Sequence, residues 1–275
     1  MKRIVHWPIL GRVAVFAYRV KTGLPQSVTP FKRFLRWLAT SNEHTNYTYD
    51  LATSNRRHLA AFVAQVSGGS YRTALAYIDE LDQDQALRQH VRNIIRNHED
   101  GRFADDEVRF GRRLGWYALI RILKPRVVVE TGVDKGLGAC VITAALMRNA
   151  SEGHAGRYYG TDINPRKGYL LTGEYARHGQ ILFGDSIESL RTLTDTIDLF
   201  INDSDHSAQY EAREYETIEN KLSQRAVVLG DNANITDELL KFAERTGRQF
   251  LYFSEEPKDH WYRGDGIGAA FRAAK

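Results

Sequence analysis

From residue 126 onward the chain alternates short apolar, β-rich runs with helical patterns, and this alternation most narrows what it can fold into. The runs VVVET (127–131), RYYGTD (157–162), ILFG (181–184), IDLFI (197–201), AVVLG (226–230) and QFLYF (249–253) are strand-like, and a last strand is expected near 266–272. Between them lie helical patterns from about 137, near 165–177, near 186–193, near 207–222 and near 235–246. Strands that are apolar throughout and separated by helices predict a mostly parallel sheet covered on both faces. The expected fold class is α/β: a Rossmann-like sheet of seven mostly parallel strands with helices on both faces, plus a helical N-terminal extension.

Residues 1–125 read as helical, with candidate helices at about 9–21, 29–40, 53–66, 70–80, 84–97 and 104–123. Gly68-Gly69 is expected to stop the third, and Lys124-Pro125 the last, because proline disfavours helix at the residue before it. The division expected is a helical N-terminal region over 1–125 and an α/β domain over 126–275. One cysteine, Cys140, excludes an internal disulfide framework and suits a reducing compartment. No run reaches the ~18 apolar residues of a spanning helix. Arg12 interrupts the one signal-like stretch near the start, and a cytoplasmic location is expected.

The net charge of +4 conceals an asymmetry: residues 1–40 hold eight Lys/Arg and no Asp/Glu, and the remainder holds 30 basic and 34 acidic residues. Phe31, Phe34, Leu35 and Leu38 fall at helical spacing with Lys32, Arg33 and Arg36 between them. Such an arm packs on its own domain, on a second subunit in a homodimer, or weakly on an anionic membrane surface.

The strand ends carry the chemistry. The first strand runs into Glu130-Thr131-Gly132-Val133-Asp134-Lys135-Gly136-Leu137-Gly138, a glycine-rich turn before a helix. It departs from the dinucleotide pattern G-x-G-x-x-G and from the Gly-Lys-Ser/Thr of a P-loop. Asp162 ends the second strand, where an acid can accept both hydroxyls of a ribose or cap the next helix. Asp185-Ser186 follow the third, where a side chain can bond an adenine amino group or, again, cap a helix. The order suits a nucleoside without phosphates. Asp203-Ser204-Asp205-His206 end the fourth strand and Asp231-Asn232 the fifth. Asp203, Asp231 and Asn232 are hard oxygen donors suited to Mg²⁺. Asp205 is the expected general base with His206 as the alternative, or both merely cap the following helix. The segment from Lys258 to Gly266 is rich in polar and aromatic types, and His260 and Trp261 are expected substrate contacts suited to a carbohydrate, or parts of a packed hairpin.

Taken jointly, ETGVDKGLG, GTDIN, GDS, NDSDHS and GDNA resemble class I S-adenosylmethionine (SAM)-dependent methyltransferases over residues about 126–272. They most resemble the subgroup that includes macrocin-type sugar O-methyltransferases and cephalosporin hydroxylase-like proteins. The resemblance implies SAM contacts at Glu130, Gly132, Gly136, Asp162, Asp185 and Ser186, and lid contacts at Tyr47 and Tyr49. It also matches Asp203, Asp231 and Asn232 to the metal positions of metal-dependent O-methyltransferases; Ser204 replaces a glycine of the subgroup's motif and leaves the charged positions intact. A further similarity is to actinobacterial enzymes that methylate mannose-containing polysaccharide precursors. The implied activity is Mg²⁺-dependent methyl transfer to a hydroxyl of a small or oligosaccharide acceptor. A nucleic-acid methyltransferase is disfavoured, because NDSD lacks the Asn/Asp-Pro-Pro-Tyr/Phe pattern of amino-methylating relatives. A non-catalytic interaction protein is the remaining alternative.

Overall fold

The computed structural model describes residues 8–44 and 48–273, so Tyr47 lies outside the described residues. Five helices precede the sheet: α1 (Pro8–Thr40), α2 (Thr53–Ser67), α3 (Tyr71–Asp82), α4 (Gln85–Asn97) and α5 (Arg113–Leu123). The strands β1 (Val127–Thr131), β2 (Arg157–Asp162), β3 (Gly179–Phe183), β4 (Ile197–Asn202), β5 (Leu222–Asp231), β6 (Gln249–Ser254) and β7 (Gly266–Phe271) then alternate with α6 (Leu137–Ser151), α7 (Ser186–Thr192), α8 (Ala208–Ile218) and α9 (Glu238–Arg245). They form one sheet in the order β3-β2-β1-β4-β5-β7-β6, parallel except for β7. This bears out the expected seven-stranded, mostly parallel architecture.

Each strand feeds two cores through its period of two. Val128, Leu199, Ile201, Val227, Leu229 and Ala269 pack with α2–α6 on one face. Val129, Phe200, Val228 and Ala270 pack with α7–α9 on the other. The first core passes without a break from the helices before residue 125 into the sheet. Arg121, buried in α5, is neutralised by Glu80 at 2.9 Å and Glu152 at 2.6 Å.

Three local expectations are corrected. The helices expected at 9–21 and 29–40 are one continuous helix, α1, despite Pro25 and Pro30. A proline removes one hydrogen bond to the carbonyl four residues back, and on this exposed helix water can satisfy that carbonyl. The helix expected over 104–123 begins at Arg113, because Gly111 adopts φ +51° and breaks the run. The helix expected near 165–177 is a chain of turns with a single 3₁₀ turn at Tyr175–His178; Gly168 (φ +74°) and Gly173 (φ +60°) interrupt it.

Candidate active site

The sheet reverses its strand order between β1 and β4, and open α/β sheets bind ligands in the crevice beyond that point. A cleft of about 410 Å³ lies there, lined by Gly132, Asp134, Asp162, Asp185, Ser186, Asp203, Asp205 and Tyr210, among others. Its floor depends on a close approach: a Cβ on Gly132 would lie 1.9 Å from the carbonyl oxygen of Asp203, and Gly132 holds φ +79°. Only glycine lets the β1 and β4 loops meet this way.

The acids on its walls are held in place by donors. Asp162 accepts the amides of Asp134 and Asn164, each at 2.9 Å. Asp185 caps α7 by accepting the Glu188 amide at 3.0 Å, and its other oxygen accepts the Tyr210 hydroxyl at 3.0 Å. Burial works against the Asp185 charge, but these donors outweigh it and keep the carboxyl below its ordinary range. Capping and ligand contact are compatible here, since an ionised carboxylate offers about four acceptor positions. Ser186 lines the same cleft.

Glu130 and Gly136 do not line it. Glu130 is buried behind the wall, accepts the Tyr158 hydroxyl at 2.5 Å, and leaves Gly138 no room for a side chain. Burial raises its pKa to about 7. Gly136 (φ +98°) starts α6 against Gly168.

The acidic cluster joins the cleft wall through Asp203. Asp203, His206 and Asp231 offer ligand atoms within 4.8 Å of one another. Asp231 is fully buried and receives both arms of the Arg112 guanidinium. Burial opposes its charge, yet Arg112 holds it below the usual carboxylate range. Burial and the adjoining Asp231 push Asp203 well up instead. Arg112 thus favours the charge on Asp231, and Asp231 in turn disfavours it on Asp203. Asn232 stands at φ +53°, and its buried Oδ1 has no hydrogen-bond partner among the described residues. Its amide lies 3.2 Å from His206 Nε2, and Asp203 lies 3.8 Å from the same nitrogen. Glu211 stands 3.7 Å behind His206 Nδ1 and raises the imidazole pKa. Asp205 is exposed and accepts the Ser207 amide at 2.8 Å, so of the two candidate bases it is His206 that joins the cluster.

A second cleft of about 660 Å³ lies between the C-terminal half of α1 and the 258–261 segment. His260 and Trp261 line it, as does Tyr49. Tyr49 therefore does not line the first cleft, where a lid contact was expected. Its buried hydroxyl donates to Glu255 at 2.9 Å and accepts from Arg112 at 3.3 Å. Through Tyr49 and Arg112 the second cleft reaches Asp231 of the acidic cluster. Trp261 packs against Phe34 and Trp37 of α1.

Several residues of this region carry no sequence motif. Arg112, Glu255 and Glu211 are among them, and so is Glu214, which is fully buried and accepts from Thr131 (3.1 Å), Ser204 (2.9 Å), Ser186 and Asn202. The signal available was the i, i+3 spacing of Glu211 and Glu214 on α8, which turns both toward the sheet.

Residues 129–233 match the family model described as a methyltransferase domain. No curated protein matches the chain. Among solved structures it is similar to the O-methyltransferase from Bacillus cereus in complex with SAH, at 15% identity and TM-score 0.51, covering 70% of this chain and 94% of that one. A putative O-methyltransferase from Klebsiella pneumoniae matches at 13% identity and TM-score 0.52, over 72% and 94% of the two chains. The O-methyltransferase TomG from Streptomyces achromogenes, in complex with SAM, matches at 16% and 0.50, over 70% and 91%. The fold is the Rossmann-like methyltransferase fold. Within it the first cleft lies beyond the β1 and β4 carboxyl ends, and the second lies under α1.

Proposed function

We propose that the protein is a SAM-dependent O-methyltransferase that uses Mg²⁺ and acts on a sugar or related polyhydroxylated acceptor. The observation that carries this reading is the Asp203–Asp231–Asn232 cluster beside a cleft walled by Asp162 and Asp185. The matched domain and the SAM- and SAH-bound relatives support the cofactor.

Asp162 and Asp185 present carboxylates to ribose hydroxyls and an adenine amino group, and the Gly132 turn allows the backbone to approach the ligand. SAM bound there supplies an electrophilic methyl group. The donor set fits a hard divalent cation: two adjoining carboxylates and an unpartnered amide oxygen on a strained residue. Arg112 does not prevent this, since it keeps Asp231 ionised and leaves further lone pairs on its oxygens. When bound, such a cation acidifies a neighbouring hydroxyl. His206, backed by Glu211, is placed to take the hydroxyl proton. Trp261, His260 and Tyr49 line a polar, aromatic cleft suited to a carbohydrate.

Thermal-shift titration tests the reading. SAH should raise Tm on its own, and Mg²⁺ should add to the shift in the wild type but not in Asp203→Asn. Absence of any SAH shift would sink the cofactor assignment. An unchanged Mg²⁺ response in Asp203→Asn would remove the metal from this site.

A further inference from the structure

Helix α1 turns the wrong face outward for a helix that only packs on its own domain. Among the described residues it meets the body only near its C-terminal end, where Phe34 and Trp37 pack on Trp261, Arg33, Arg36 and Thr40 line the second cleft, and Arg33 bonds Asp259 at 3.0 Å. Its apolar side faces away. Val13, Phe16, Val20 and Leu24 recur at three- and four-residue steps, Phe31 and Leu35 continue the same stripe two turns beyond Leu24, and all are at least two-fifths exposed, Phe16 at 69% and Phe31 at 59%. Lys21 and Lys32 border the stripe on one edge, Arg12 and Arg19 on the other, and α1 contains no acidic residue.

We propose that α1 lies in the surface of a membrane bearing anionic lipid, stripe downward, with those four cations reaching the headgroups. The helix is about 50 Å long at the usual rise, and among the described residues no helix is long and apolar enough to cross a membrane. Apolar burial on one face and basic side chains on both borders are what an interfacial helix requires. A second copy fits less well. Pairing α1 with α1 would bring basic borders together with no carboxylate to meet them. Elsewhere among the described residues the exposed large apolar side chains, such as Tyr71, Phe183, Leu240 and Tyr252, are scattered over separate elements and offer no matching stripe. This inference stands apart from the methyl-transfer reading and is read out without turnover.

The experiment is co-sedimentation of the full chain with vesicles of phosphatidylcholine alone or mixed with phosphatidylglycerol. Binding is expected to the mixed vesicles only and to weaken with salt, and each of Lys21→Gln and Lys32→Gln should lower the partition roughly fivefold. The Leu24→Glu/Phe31→Glu variant should stay in the supernatant, with circular dichroism and thermal unfolding like the wild type. Equal binding to both vesicles would overturn the charge-based assignment. Binding to neither, with a dimer in sedimentation velocity that Leu24→Glu/Phe31→Glu dissociates, would give the stripe to a second copy.

Discussion

A buried carboxylate with no cation beside it must be satisfied by neutral donors or hold a proton, and Glu214 does both. Four side chains from β1, β4, its following loop and α7 point donors at it, while burial lifts its pKa to about 7. Burial also lifts Glu130 to about 7, against the Tyr158 hydroxyl and the charge of Arg113. Their folded pKa values lie above the ordinary 4.5. Between about pH 4.5 and 7 the folded state therefore keeps protons that the unfolded chain releases, and stability falls as pH rises through that window. Unfolding followed from about pH 5 to 8 should show Tm declining, and Glu214→Gln should flatten the decline. Glu214→Ala should cost about 3 kcal/mol by leaving Asn202 and the hydroxyls without their acceptor, measured by denaturant unfolding. Gly132→Ala tests the cleft floor. The left-handed φ alone costs about 1–2 kcal/mol, and the new Cβ would displace the Asp203 loop, so SAH affinity by calorimetry should fall far more than it would for a wall residue.

Among the elements, the strands were the legible part. β1 and β2 occupy the residues that their strand-like runs marked, VVVET and RYYGTD, which are rich in β-branched and aromatic types. The strand-end acids were equally legible as a set, and Asp162, Asp185 and Asp203 share one cleft. What the sequence concealed depends on approach between distant segments. Nothing in the run Arg112-Arg113 says that the first arginine grips Asp231 from 119 residues away. Gly168 and Gly173 break an otherwise helix-like pattern only because their backbone turns left-handed. Asp185 sits where both kinds of information meet, since it caps α7 and walls the cleft. Asp185→Asn should keep the cap and the stability, yet weaken SAH binding about tenfold by losing the charge; Asp185→Ala should lose about 1 kcal/mol of stability as well. Equal SAH affinity across wild type, Asn and Ala would make Asp185 a cap alone.

At the scale of the whole molecule, α1 is separable in a way that α2–α5 are not. The latter fill the first core together with the sheet, whereas among the described residues none of α1 enters either core. Its attachment is local: Arg33 to Asp259, Ser41 just past its end to Asp105, and Phe34 and Trp37 against Trp261. Exposed ion pairs of this kind contribute little. A chain starting at residue 41 should therefore unfold within a few degrees of the full chain and still bind SAH in the first cleft, which α1 does not line. The second cleft would lose Arg33, Arg36, Trp37 and Thr40 from its wall. If that cleft receives the acceptor, the shortened chain should show a raised acceptor KM at near-constant SAH affinity. The pair of measurements separates the two clefts: a matched loss of SAH affinity would mean that α1 supports the cofactor side after all, and an unchanged acceptor KM would place the acceptor elsewhere.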